Sequence, residues 1–112
     1  MTDFNSALAT FIAAINADGE DHYKKHLSNL TYNPVDRAGG KKYIRLVNES
    51  RVYCFVAAVD VPANGIKEGD VLMAASYKAP ALKRKNPAAA NIFKPATYEG
   101  VNKSNGCWLY AG

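Results

Sequence analysis

The feature that most constrains the fold is an unbroken apolar run, Val52–Val59, which has the length of a β-strand. Successive side chains of a strand point to opposite faces. Here both sets are apolar: Val52, Cys54, Val56 and Ala58 on one face, and Tyr53, Phe55 and Ala57 on the other. A strand that is apolar on both faces has to be covered on both sides. The run therefore predicts the central strand of a sheet, and it is far shorter than the roughly 18 residues that a membrane helix needs.

Two further strands are predicted on either side of this one. Before it, Ile44 and Leu46 form the apolar face of a strand, and the polar turn 48–50 favours a hairpin. After it, a Gly- and Pro-punctuated loop leads into a third apolar segment. The sequence thus predicts an antiparallel meander of three strands: Lys41–Val47, Arg51–Val59 and Asp70–Ser76. Cys107–Tyr110 is a candidate fourth strand at an edge.

An amphipathic helix is predicted at the N-terminus, where Phe4, Leu8, Phe11 and Ile15 recur at helical spacing. Thr2 is the expected N-cap. Gly19 leaves two alternatives open, since glycine can end a helix or lie inside one at a cost of about 1 kcal/mol. The segment through Leu30 is therefore either one long helix or a helical hairpin.

The remaining segments are irregular. The connector 29–40 is expected to be anchored on the core by Leu30 and Tyr32. Prolines interrupt the chain after Tyr77, and Ala88–Ala90 is expected to form one helical turn. All 112 residues fit a single domain, 1–112. The expected fold is α+β: the N-terminal helix or helical hairpin covers one face of a three- to four-stranded meander, and residues 78–112 wrap the other irregularly.

Charge is distributed unevenly along the chain. Residues 1–36 hold five acids and two bases, whereas residues 71–98 hold five bases and no acid. These bases are interleaved with Tyr77, Phe93 and Tyr98, and cations with exposed aromatic rings suit single-stranded nucleic acid. The candidate nucleic-acid-binding residues are Tyr77, Lys78, Lys83, Arg84, Lys85 and Lys94. The alternative is a solvated loop whose cations offset the acidic helix.

No catalytic residues, cofactor or metal site are predicted. His22 and His26 share a helical face, but two imidazoles without a further ligand are weak evidence for a metal. Cys54 lies in an apolar strand, where a thiol is usually inert, and both Cys54 and Cys107 are expected to be free thiols. No phosphate-binding glycine loop or nucleophile motif occurs in the sequence.

One run carries a family resemblance. Met73-Ala74-Ala75-Ser76-Tyr77-Lys78-Ala79-Pro80-Ala81, followed by Ala90-Asn91-Ile92-Phe93, resembles the K-A-A-S-W-K-x-P-A…G-N-I-F run in a family of small uncharacterised proteins of tailed bacteriophages. The likeness spans roughly residues 41–93, and Met73, Tyr77 and Ala90 replace the usual lysine, tryptophan and glycine. Read from its residues, the run is expected to specify a fold corner in which Tyr77 packs on Pro80.

The resemblance implies a phage context, with the protein in the host cytoplasm or the virion, but it implies no particular activity. Residues 1–4 show no secretory signal pattern, and no membrane partner is expected. The leading hypothesis is a non-enzymatic phage accessory protein that binds nucleic acid or another anionic partner through residues 78–94. The alternatives are a virion or assembly component that acts through protein–protein contacts, and an inhibitor of a host enzyme.

Overall fold

The fold is an N-terminal helix packed on a five-stranded antiparallel sheet. The computed structural model describes residues 3–26, 29–48, 51–82, 88–99, 103 and 109. Helix α1 spans Phe4–His26, and the strands are β1 Asp36–Arg37, β2 Tyr43–Asn48, β3 Arg51–Ala57, β4 Asp70–Leu72 and β5 Ala88–Asn91. The strands are ordered β1-β2-β3-β4-β5. The α+β prediction is confirmed.

The three predicted strands are neighbours in the sheet, and β3 is the central strand, as its two apolar faces predicted. The positions of the other two strands, β1 and β5, were not predicted. Strand β1 is an edge strand of only two residues, and β5 pairs with β4 through Asp70–Asn91 and Leu72–Ala88. The expected helical turn at Ala88–Ala90 is therefore wrong. Nucleation of a helical turn is unfavourable, whereas pairing with β4 gives the same backbone groups their hydrogen-bond partners directly.

Helix α1 is continuous, which decides between the two alternatives left by Gly19. Gly19 is buried, and a Cβ at this position would lie 2.4 Å from the ring of Tyr32. The glycine thus permits close packing of an aromatic ring rather than a hinge. The helix is capped by Asp3, whose Oδ1 accepts a hydrogen bond from the Ser6 N–H at 2.7 Å, and this bond lowers the pKa of Asp3. Thr2, the predicted cap, lies outside the described residues.

The connector after the helix is fixed by one asparagine. Asn16 Nδ2 donates to the Val35 carbonyl at 3.0 Å, and its Oδ1 accepts from the Val35 N–H at 2.7 Å and the Tyr32 hydroxyl at 2.8 Å. The predicted anchoring role of Tyr32 is confirmed. That of Leu30 is wrong, because its side chain is 60% exposed.

We call the sheet surface under α1 the helix face. Leu8, Phe11 and Ile15 pack there against a set of buried sheet residues: Ile44, Leu46, Cys54, Val56 and Val71. Cys54 is completely buried and is a free thiol, as predicted, and burial raises its pKa. Cys107 lies outside the described residues.

The C-terminal segment joins this same face. Ile92, Tyr98 and Leu109 belong to the core beneath α1, and the rings of Phe11 and Tyr98 meet edge-on at 4.9 Å. The predicted wrap of residues 78–112 over the opposite face is therefore wrong for these residues, because β5 delivers Ile92 to the helix side. Of the candidate strand at 107–110 only Leu109 is described, and its backbone is of the 3-10 type.

A buried lysine attaches this segment to the helix. Lys103 is 4% exposed, and its Nζ lies 3.0 Å from Asp18 Oδ2 and donates to the Tyr98 carbonyl at 3.0 Å. The Lys103 N–H donates to the same Asp18 oxygen, and the Tyr53 hydroxyl donates to the Lys103 carbonyl. Removing a lysine ammonium from water costs free energy, and the Asp18 carboxylate and the Tyr98 carbonyl compensate for that cost here.

The opposite surface of the sheet, which we call the outer face, has a smaller core. Phe55, Ala57 and Leu72 are buried there by Val61 and Ile66, which come from the β3–β4 loop. Tyr43, Val52 and Leu82 pack at its margin. The central strand is thus covered on both sides. No helix formed by the described residues is long and apolar enough to cross a membrane.

Candidate nucleic-acid interface

The site centres on a stacked pair, Arg45 and Tyr77. The Arg45 guanidinium lies over the Tyr77 ring, 4.6 Å from its centroid, and Arg45 Nε donates to the Tyr77 carbonyl at 2.7 Å. Arg45 faces outward from β2 beside Phe55, whose ring centroid is 5.9 Å from the guanidinium. The pair therefore lies on the outer face. Tyr77 is nevertheless 52% exposed.

The loop that carries Tyr77 is closed upon itself. After β4 the chain turns back, and three backbone hydrogen bonds join its two sides: Ala75 N–H to Ala79 O, Ser76 N–H to Ala79 O, and Ala81 N–H to Met73 O. Pro80 is buried and Ala74 bridges to it. The expected fold corner is present, and Tyr77 stacks on Arg45, a contact that was not predicted. The loop presents Tyr77 at its tip, where the Arg45 guanidinium lies over the ring.

Two cations are associated with the exposed ring, Arg45 in space and Lys78 in sequence. Lys78 follows Tyr77 directly and is exposed. Arg45 uses Nε for the loop carbonyl, and its two terminal nitrogens donate to none of the described residues. Guanidinium and ammonium groups in these positions can contact phosphate oxygens.

Lys94 lies in a different part of the fold. It follows Asn91, which pairs with Asp70 at the start of β4, whereas Tyr77 and Lys78 come after the end of that strand. Asn91 Nδ2 donates to Asp70 Oδ1 at 2.9 Å and to the Glu68 carbonyl at 3.0 Å. The fold therefore brings two acidic residues close to a segment that has none in its own sequence.

The other two aromatic residues of the basic segment are placed differently from Tyr77. Tyr98 is 2% exposed and packs on Phe11, so it offers no ring to a ligand. Phe93 is 36% exposed, at the same end of β4 as Lys94, with its centroid 6.3 Å from that of Phe4. Its ring covers Gly69, where a Cβ would approach it to 2.6 Å. Gly69, Asp70, Asn91 and Phe93 thus join β4 to β5 as a structural corner.

The three central cations of the predicted site, Lys83, Arg84 and Lys85, lie outside the described residues. The residues that bracket them are described. Leu82 and Ala88 both pack on the outer-face core. Both flanking residues therefore lie on the face that carries Arg45 and Tyr77.

The acidic residues of the helix are on the other side of the sheet. Asp18 pairs with Lys103, and Asp21 with Lys25 at 3.1 Å, while Glu20 is exposed. The sheet itself separates these carboxylates from Arg45 and Lys78. This separation was the condition for the basic segment to form a positive surface rather than to offset the helix.

The residues with metal-binding potential are dispersed. His22 and His26 lie on one side of α1 with ring centroids 5.0 Å apart. The described part of the chain contains no group of three or more His, Cys, Asp or Glu residues that could hold a metal ion. The two imidazoles remain a pair on the surface of the helix.

Arg45 was missed as a site residue by sequence reasoning, although a signal was available. It alternates with Ile44 and Leu46, which places it on the face opposite the helix, next to Tyr43. Its contact with Tyr77 joins residues 32 positions apart. Strand alternation could give the face, but only the return of the β4–β5 loop gives the partner.

No protein-family model matches the chain, and neither does any curated protein or solved structure.

Proposed function

We propose that this chain is a non-enzymatic accessory protein, in the phage context that the sequence resemblance implies, and that it binds nucleic acid on the outer face. The observation that carries the proposal is the Arg45–Tyr77 stack, with Lys78 beside it, on the side of the sheet away from the acidic helix. Lys83, Arg84 and Lys85 remain candidate contacts on sequence grounds, and Lys94 is a peripheral candidate.

Among the described residues, no carboxylate forms an ion pair with Arg45 or Lys78. Ion pairs between described residues occur on α1, at Asp18–Lys103 and Asp21–Lys25, and none involves Arg45 or Lys78. A cation that is not neutralised within the protein gains more from a phosphate, because binding releases a condensed counterion. Arg45 is also held in position by Tyr77, which reduces the side-chain entropy lost on binding.

The test is retention of labelled nucleic acid by the full chain across a salt series. Each phosphate contact contributes about 0.9 to the slope of log affinity against log salt for duplex DNA, and about 0.7 for a single strand. Lys78→Gln and Arg45→Gln should each reduce the slope by about one such contact. Changing Lys83, Arg84 and Lys85 together to alanine should reduce it by about two units.

Lys24→Gln is the matched control, because Lys24 is an exposed cation on α1 and the substitution makes the same change in net charge. Its slope should equal that of the unaltered chain. Equal losses from Lys24→Gln and Lys78→Gln would mean that only net charge matters and that no surface is selected. If the unaltered chain retains no nucleic acid at low salt, the proposal fails and the assembly or inhibitor hypothesis is favoured.

A further inference from the structure

The Tyr77 ring has one face occupied and much of its surface open. The Arg45 guanidinium lies 4.6 Å from the centroid, while the side chain is 52% exposed. The two residues are also linked by the 2.7 Å hydrogen bond from Arg45 Nε to the Tyr77 carbonyl. The ring is thus contacted by Arg45 on one face, and about half of the side chain remains exposed to solvent.

The backbone beneath the ring is fixed as well. Tyr77 lies between Ser76 and Ala79, whose backbone atoms are joined by a hydrogen bond of 3.1 Å, and Ala81 closes the loop on Met73 at 2.7 Å. The Lys78 N–H donates to the Ser76 hydroxyl at 3.3 Å. A ring that is already ordered loses little conformational entropy when a flat partner binds to it.

A flat aromatic partner is available only in unpaired nucleic acid. In a duplex each base is stacked between its neighbours and presents only its edges in the grooves, whereas a single strand can place a base against a protein ring. Building on the function proposed above, we infer that the ligand is single-stranded nucleic acid and that one unpaired base stacks on the face of Tyr77 opposite Arg45. Lys78 and the terminal nitrogens of Arg45 then contact the phosphates next to that base.

Lys78 and Arg45 suit this arrangement because two different segments supply them, both next to the ring in sequence or in space. Lys78 is the next residue in the loop, and Arg45 approaches from β2. Phosphates on both sides of a stacked base would each meet a cation. Stacking on an aromatic side chain changes affinity by about 5- to 150-fold per base and depends little on base identity, so weak sequence preference is expected.

The experiment compares a labelled short oligothymidine with a labelled duplex of matched length, using the full chain across the same salt series. Tyr77→Leu should weaken binding of oligothymidine by about 5- to 150-fold. The affinity for the duplex should fall much less, because duplex binding loses only the positioning of Arg45 by the ring, and the salt slope should be retained because the cations remain. Tyr77→Phe is the matched control, since it keeps the ring, and should bind as the unaltered chain does. Circular dichroism and a denaturant melt of each variant verify that the fold is retained.

The outcomes separate the two proposals. If Tyr77→Leu binds oligothymidine as tightly as the unaltered chain does, while Lys78→Gln still reduces the salt slope, base stacking is wrong and the anionic surface stands. Equal losses on oligothymidine and duplex would also overturn stacking, because duplex binding does not use an unpaired base. Retention of neither probe by the unaltered chain would overturn both.

Discussion

The two faces of the sheet are built differently. The helix face buries Phe11 and Tyr98 completely or nearly so, and polar side chains fasten it through Asn16 and Lys103. The outer face has a smaller core and holds Arg45 against Tyr77 at the surface. One face of the sheet therefore forms most of the buried core, and the other face carries cations and an aromatic ring at the surface. The comparison implies that substitutions on the two faces should have separable effects.

The largest expected effect is on the helix face. Phe11 is fully buried and contacts Tyr98, so Phe11→Ala should lower the free energy of unfolding by about 3–5 kcal/mol. Leu30→Ala is the matched control, since Leu30 is an apolar side chain that is 60% exposed, and it should cost no more than about 0.5 kcal/mol. Denaturant melts measure both. If Phe11→Ala lowers the free energy of unfolding by less than about 1 kcal/mol, packing on the helix face is not the main source of stability.

The next effect concerns the buried ion pair. Asp18→Ala leaves the Lys103 ammonium without its carboxylate, and breaking a fully buried pair costs about 3–5 kcal/mol. We expect about 2 kcal/mol here, because the Asp18 side chain is 35% exposed and water can replace part of its contribution. The exposed pair gives the contrast: Asp21→Ala should cost about 0.5 kcal/mol or less.

The same pair allows a sharper measurement. Asp18→Ala combined with Lys103→Met should be more stable than Asp18→Ala alone, because the buried charge that has lost the Asp18 carboxylate is then gone. A double variant no more stable than the single one would mean that the Lys103 charge carries no burial penalty.

Replacing Gly19 with alanine should change the free energy of unfolding by a smaller amount, and the sign of that change is informative. In an ordinary helix interior, Gly→Ala gains about 1 kcal/mol. At position 19 the added Cβ would lie 2.4 Å from the Tyr32 ring, and overpacking of this kind costs about 1–3 kcal/mol. We expect a net loss of about 1 kcal/mol from Gly19→Ala in thermal or denaturant melts.

A second background tests the cause of that loss. In Tyr32→Ala the ring is absent, and Gly19→Ala should then stabilise the chain by about 1 kcal/mol. A loss in both backgrounds would show that the ring is not the obstacle.

The smallest effect on stability is expected on the outer face. Tyr77→Leu removes an exposed cation–π contact worth about 0.5–1 kcal/mol but leaves the buried core intact. The free energy of unfolding from its denaturant melt should change by no more than about 1 kcal/mol, far less than for Phe11→Ala. A loss as large as that of Phe11→Ala would break the contrast between the faces and make Tyr77 a structural residue.

Sequence patterns predict the parts of this fold that depend on periodicity. Alternation placed the central strand, and helical spacing placed Phe11 and Ile15 in the core. The pattern failed at β5, where alanines carry no face preference and the pairing partner decides the structure. It also failed at Lys103, because a lysine is nearly always exposed and only its partner, far away in sequence, explains its burial.

The candidate site was predictable only in part. Lys78 and Tyr77 were found because they are close in sequence, and local composition marks such segments. Arg45 joins them through a loop that returns over β2, and Lys94 is separated from them by the direction of β4 and β5. Tyr98 looks like an accessible ring in the sequence but is needed in the core. Contacts between distant segments decided each of these outcomes.

We propose that the outer face binds single-stranded nucleic acid and that the helix face does not. The most direct measurement is a titration of the isotope-labelled full chain with oligothymidine, followed by the chemical shifts of its backbone amides. The predicted result is that the largest shifts fall on Arg45, Phe55, Tyr77 and Lys78, while Phe11 and Lys24 on α1 remain unchanged. Shifts concentrated on α1 or on the Asn91–Lys94 corner, or no shifts at low salt, would contradict it.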